Sequence, residues 1–232
     1  MLKQSNAKKI ITYLKLYNLF DFRIKSTFIS YKAKPQSEKQ NLLDLIQLIL
    51  PSPKLKLSDI QDYKLQTLPK HKERIDSFLA PLAKDQKSIV MLNPFGFAAK
   101  NNLTLQEYEQ ITLHLVQQHN IILPTFENRS TLIYKTFSQE LIDHPNFFIF
   151  ENNSDLLNLV ELITRMNLVI SPSTGNIHIA DNLGIPSIGL FSHKDTIKWG
   201  GDQMHYVILD QISSHQAITD TIHISQQLLQ SH

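Results

Sequence analysis

From Ser88 onward the chain alternates short apolar runs with amphipathic ones. The runs are Ser88–Asn93, Asn120–Phe126, Asn146–Phe150, Leu168–Ser171, Ser187–Phe191 and Tyr206–Leu209, rich in Val, Ile and Phe. Most are apolar on both faces rather than on alternate positions, which predicts parallel strands covered by helices on each side. Between them, helical spacing predicts helices over Leu105–His119, Thr131–Leu141, Asp155–Met166 and Ile177–Leu183, with a last one over Ser214–Leu229. Thr104 with Glu107 three residues on forms a capping box, and Ser154 is the expected cap of the helix that follows it. Strand and helix in alternation with short links predict an α/β domain with a doubly wound parallel sheet.

The first 85 residues or so follow a different pattern. Asn41–Leu50 (NLLDLIQLIL) predicts an apolar helix ended by Pro51 and Pro53. A strand is expected within Arg23–Tyr31, and polar stretches such as Lys32–Gln40 and Thr67–Glu73 read as connections. This is the pattern of the end of one unit followed by a linker. The expected division is therefore residues 1–85 as a partial unit and residues 86–232 as a Rossmann-like domain.

Composition adds exclusions. Of 232 residues, 42% are hydrophobic and 19% charged, ordinary for a globular chain. Cys is absent, which removes disulfides, thiolate zinc sites and a thiol nucleophile. The net charge is +2 with Lys and Arg dispersed, so no nucleic-acid partner is expected, while contact with an anionic surface is permitted. The N-terminal stretch lacks the uninterrupted apolar core of a signal peptide, and no run of about 18 apolar residues is present to span a membrane.

Two segments can carry chemistry. In Leu168–Phe191 (LVISPSTGNIHIADNLGIPSIGLF) a strand runs into Ser171, Ser173, Thr174 and Gly175, and a helix starts directly after. Free N–H groups at such a helix start suit a phosphate or sugar diphosphate, Gly175 lets a ligand approach the backbone, and His178 falls in the first turn. An ordinary capped turn is the alternative reading. In Asn93–Asn102 (NPFGFAAKNN), which opens with the candidate donor-binding Asn93, Pro94 and Gly96 make a turn and Lys100 offers an ammonium to a phosphate, or is simply a surface lysine. Glu127, after the second strand, can accept from a ribose, or is simply a solvated loop residue. Neither a Walker A motif nor GxGxxG is present. His193–Trp199 reads as a loop in which Trp199 lines a pocket or anchors packing.

Together these segments resemble glycosyltransferase family 9, the ADP-heptose:lipopolysaccharide heptosyltransferases. The resemblance covers about Lys87–Gln203: Pro94, Gly96 and Lys100, then Ser173, Thr174, Gly175, His178 and Ala180, then Gly184 and Pro186. It implies a GT-B architecture whose C-terminal domain binds an ADP-sugar donor without a metal cofactor, the sugar passing to the lipopolysaccharide core at the inner face of the cytoplasmic membrane. It assigns Lys100, Thr174, Gly175 and His178 to the donor's diphosphate and sugar. Ser173 departs from the family, in which many members have Asp, and a hydroxyl cannot carry that charge. Nothing in Met1–Tyr31 reproduces the family's opening loop with its Asp general base, so the expectation is that this chain alone transfers no sugar. The other readings are a vestigial nucleotide-sugar-binding module and a nucleotide-sugar epimerase of similar fold; a dehydrogenase is disfavoured by the missing GxGxxG.

Overall fold

The computed structural model describes residues 10–13, 24–27, 37–50, 55–59, 64–84, 86–96, 102–201 and 204–230. The chain divides into two compact units, Met1–Asp62 with Ile197–Trp199, and Tyr63–Thr196 with Gly200–His232. In the first, β1 (Ile10–Tyr13) and β2 (Ile24–Thr27) pair in parallel with Ile10 opposite Ile24. Helix α1 (Glu38–Gln47) packs on both strands, with Ser37 accepting from the Gln40 amide as its N-cap and Leu43 buried. β2 lies inside the stretch expected to hold a strand; β1 was not foreseen, because four residues between lysines show no period. α1 ends at Gln47, while Pro51, Pro53 and Lys100 lie outside the described residues, as does most of Met1–Tyr31.

The second unit starts ahead of the boundary at residue 86. Thr67–Glu73, read as a polar connection, contains the start of α2 (Pro69–Leu79), with Pro69 at its first position. Lys70, Lys72, Glu73, Asp76 and Ser77 are exposed and only His71 and Ile75 are fully buried, so its inward stripe is too narrow to stand out in the sequence.

Six strands follow: β3 (Ile89–Leu92), β4 (Asn120–Thr125), β5 (Phe147–Glu151), β6 (Leu168–Pro172), β7 (Ser187–Phe191) and β8 (Met204–Ile208). All pair in parallel, in the order β5-β4-β3-β6-β7-β8. The intervening helices are α3 (Leu105–Leu115), α4 (Arg129–Thr136), α5 (Gln139–Ile142), α6 (Leu156–Thr164), α7 (Gly175–Leu183), α8 (His193–Trp199) and α9 (Ser214–Gln230).

Alternate residues of β3, β4 and β6 feed two separate cores. Val90, Leu92, Ile121, Leu123, Leu168 and Ile170 pack with Ile111 and Leu115 of α3 and with Ala217 and Leu229 of α9. Met91, Ile122 and Val169 pack with Ile75 of α2, Val160 and Ile163 of α6 and Ile179 of α7. The sheet is thus apolar on both faces because helices cover both, which is the doubly wound arrangement.

Three local expectations are corrected. The helix expected over Thr131–Leu141 breaks at Phe137, which turns extended to bury its ring, and Ser138 starts α5. The cap of α6 is Asp155, which accepts from the Leu157 amide, while Ser154 stands at φ 57°. His193–Trp199 is helix rather than loop, capped by Ser192, which accepts from the Asp195 amide.

Candidate functional site

With β3 and β6 side by side, the connections leave the sheet in opposite directions at this point, and a crevice opens beyond the strands' carboxyl ends. Asn93 closes β3 and donates its backbone N–H to Ile170 of β6 at 2.9 Å. Its side chain, 3% exposed, joins the two loops. Asn93 Nδ2 lies 3.1 Å from Ser171 Oγ, 3.2 Å from Thr174 Oγ1 and 3.3 Å from the Phe95 carbonyl, and Oδ1 accepts from the Phe95 amide at 3.2 Å. Ser171 and Thr174 hydroxyls are 2.9 Å apart. This buried knot holds the β3 loop against the start of α7.

Because the Thr174 hydroxyl is turned into the knot, it does not cap α7. An uncapped helix start leaves amide N–H groups for an acceptor from outside and favours negative charge there. A Cβ on Gly175 would meet nothing within 4 Å, so that space is open to a ligand. Gly96 is small for a different reason. A Cβ there would come within 2.8 Å of the Pro172 ring and 3.2 Å of Asn102 Nδ2. Asn102 in turn donates to the Pro94 carbonyl and accepts from the Tyr108 hydroxyl at 2.7 Å. Burial pushes the Tyr108 phenol well above its ordinary pKa, which keeps it a proton donor.

A cavity of about 320 Å³ opens beside the knot, lined by Asn93, Phe95, Phe126, Asn152, Ser154 and Thr174 among others. Phe95 and Phe126 meet edge to face at 5.8 Å. The loops after β4 and β5 that wall it each carry two left-handed non-glycine residues, Glu127 (φ 48°) with Asn128 (φ 64°), and Asn153 (φ 39°) with Ser154 (φ 57°). Such conformations store about 1–3 kcal/mol each and persist where neighbours enforce them. Asn152 is buried, and its Oδ1 has no hydrogen-bond partner among the described residues. A ligand donor is what an acceptor in this position lacks.

Of the residues singled out in the sequence, Asn93 and Thr174 line the cavity. Gly96, Ser173, Gly175 and His178 sit in the two loops and first helical turn beside it, Gly175 exposed and His178 half-buried. Glu127 is exposed, next to the lining Phe126. Phe95, Phe126, Asn152 and Ser154 were missed as site residues, since only the strand order brings the ends of β3, β4 and β5 together. A second cavity of about 370 Å³ lies between Asn102 and the start of α9, with Asp210 and Ser214 in its lining. Among the described residues no group of acidic and histidine side chains could hold a metal ion, and no helix is long and apolar enough to cross a membrane.

The sequence model of glycosyltransferase family 9 (heptosyltransferase) matches residues 20–225. No curated protein matches the sequence. Among solved structures, a family 9 glycosyl transferase from Veillonella parvula superposes with TM-score 0.69 at 11% identity, over 95% of this chain and 67% of its own. E. coli ADP-heptose lps heptosyltransferase II superposes with TM-score 0.62 at 12% identity, over 90% of this chain and 66% of its own. E. coli heptosyltransferase WaaC with ADP-2-deoxy-2-fluoro heptose gives 0.55 at 14%, over 86% of this chain and 59% of its own. The chain therefore spans about two thirds or less of the length of these proteins.

Proposed function

Because the chain belongs to glycosyltransferase family 9, we propose that the crevice between β3 and β6 is the donor site of a glycosyl transfer from an ADP-sugar. The observation that carries this reading is the Asn93–Ser171–Thr174 knot, which leaves the α7 start uncapped beside a cavity at the switch point. The diphosphate sits at the amides of α7, over Gly175, with Lys100 as its counter-charge. The base enters the cavity against Phe95 and Phe126, near the unpaired Asn152 carbonyl oxygen, and Glu127 accepts from the ribose. His178 and Ser173 face the sugar, a heptose, which passes to the lipopolysaccharide core at the cytoplasmic face of the membrane.

In such a transfer an acceptor hydroxyl oxygen bonds to the anomeric carbon and gives its proton to a base, while the donor's carbon–oxygen bond to the diphosphate breaks and ADP leaves with the electron pair. Helix N–H groups fixed around that leaving oxygen stabilise the developing charge without reorganising, the Lys100 ammonium adds an opposite charge, and no metal is needed for this. Calorimetric titration with ADP tests the reading. Saturable binding that is lost or weakened in both Lys100→Ala and Thr174→Val is expected; binding unchanged in both would remove the assignment.

A further inference from the structure

Within that reading, on which this inference rests, we propose that His71 and Arg74 of α2 are positioning residues of the nucleotide cavity, gripping the β5–α6 loop on either side of its left-handed pair. His71 is 2% exposed. Its Nδ1 accepts from the Leu68 amide at 3.1 Å, so the ring proton of the neutral form sits on Nε2, which lies 3.4 Å from Asp155 Oδ2. The other Asp155 oxygen accepts from the Leu157 amide at 3.0 Å, and the Asp155 backbone N–H donates to the Asn152 carbonyl at 3.0 Å. One helical turn along α2, Arg74 Nη2 donates to the Glu151 carbonyl at 2.7 Å, and its guanidinium lies 5.5 Å from the centre of the Phe150 ring.

Glu151 and Asp155 are the two ends of the loop. Between them stand Asn152 and Ser154, which line the cavity, and the strained pair Asn153 and Ser154. Left-handed non-glycine residues in succession relax unless both flanks are fixed. One flank is held by Arg74 at a carbonyl and the other by His71 at a carboxylate, from a single helix. The Asn152 amide adds a third tie, to the Thr125 carbonyl at 3.0 Å. Thr67, just ahead of α2, bonds Glu161 of α6, and Asp76 of α2 pairs with Arg165 at the end of α6, contacts that do not touch this loop. Those contacts supply the control.

The test compares ADP affinity by calorimetry, melting temperature, and hydrogen exchange of the 152–157 amides without ligand. His71→Asn retains an acceptor for the Leu68 amide but cannot reach Asp155, whereas His71→Gln carries an N–H to the position of Nε2. His71→Asn and Arg74→Ala should each weaken ADP binding about tenfold, equivalent to ~1.4 kcal/mol, and speed loop exchange. His71→Gln should restore both, and Thr67→Val should lower the melting temperature while leaving both unchanged. The proposal is overturned if His71→Gln falls as far as His71→Asn, or if loop exchange and affinity match the wild type in His71→Asn and Arg74→Ala. Wild-type protein that binds no ADP defeats the donor-site reading itself, and the ligand-free exchange still shows whether the two side chains hold the loop.

Discussion

Asn93→Ala removes the side chain that ties the β3 loop to the start of α7. Three donor contacts disappear, to Ser171, Thr174 and the Phe95 carbonyl, together with the acceptor of the Phe95 amide. The two hydroxyls remain bonded to each other at 2.9 Å, so the main loss falls on Phe95, whose N–H is left buried without a partner. A net hydrogen bond is worth about 1 kcal/mol and a stranded buried donor about 1–3, which places the destabilisation at ~2–4 kcal/mol. A domain with about 5–15 kcal/mol in hand still folds. Urea unfolding at constant slope reads the difference. Combining Asn93→Ala with Ser171→Ala should reveal a coupling of about 0.5–3 kcal/mol, because the two side chains share one network. A loss below about 1 kcal/mol, or no coupling between the two, would refute the claim that this knot holds the crevice.

Gly96→Ala should destabilise by about 1–3 kcal/mol, since its Cβ meets the rigid Pro172 ring at 2.8 Å; an unchanged melting temperature would mean the β3 loop moves aside freely. The Glu161 carboxyl is raised by burial but lowered further by the Thr67 hydroxyl and the Arg165 guanidinium, and its pKa falls below the ordinary value. Its stabilisation is therefore complete above the unfolded pKa of about 4.3 and is lost as pH falls through the lower folded value. Glu161→Gln should accordingly be less stable than wild type at pH 7, and the gap should close in acid; an equal gap at low pH contradicts this sign.

Much of the second unit was readable because its signals are local. The Thr104–Glu107 box forms as expected, with Glu107 accepting from the Thr104 amide at 2.7 Å. The strands announced themselves by being apolar on both faces. What was missed depended on tertiary context or on short signals. Phe137 leaves the helix because the core takes its ring, and Ser154 fails as a cap because the loop it sits in is left-handed. The start of α8 did carry a signal, Ser192 with Asp195, but seven residues with no buried side chain show no periodicity. The site was half legible. Thr174 and Asn93 lie in loops directly after apolar strands, where a ligand is expected. Asn152 and Phe126 belong to it only through the order β5-β4-β3-β6, and no spacing along the chain encodes that order. Lys100 lies outside the described residues, so its role rests on the motif alone.

The central claim, that the crevice at the β3–β6 switch point holds a nucleoside diphosphate, is tested most directly by amide NMR of the full chain during titration with ADP. Saturable shifts should concentrate at Phe95, Asn152, Ser154, Thr174, Gly175 and Asn176. Shifts gathered instead around Asp210 and Ser214 at the second cavity, or no shifts at saturating ADP, would contradict it.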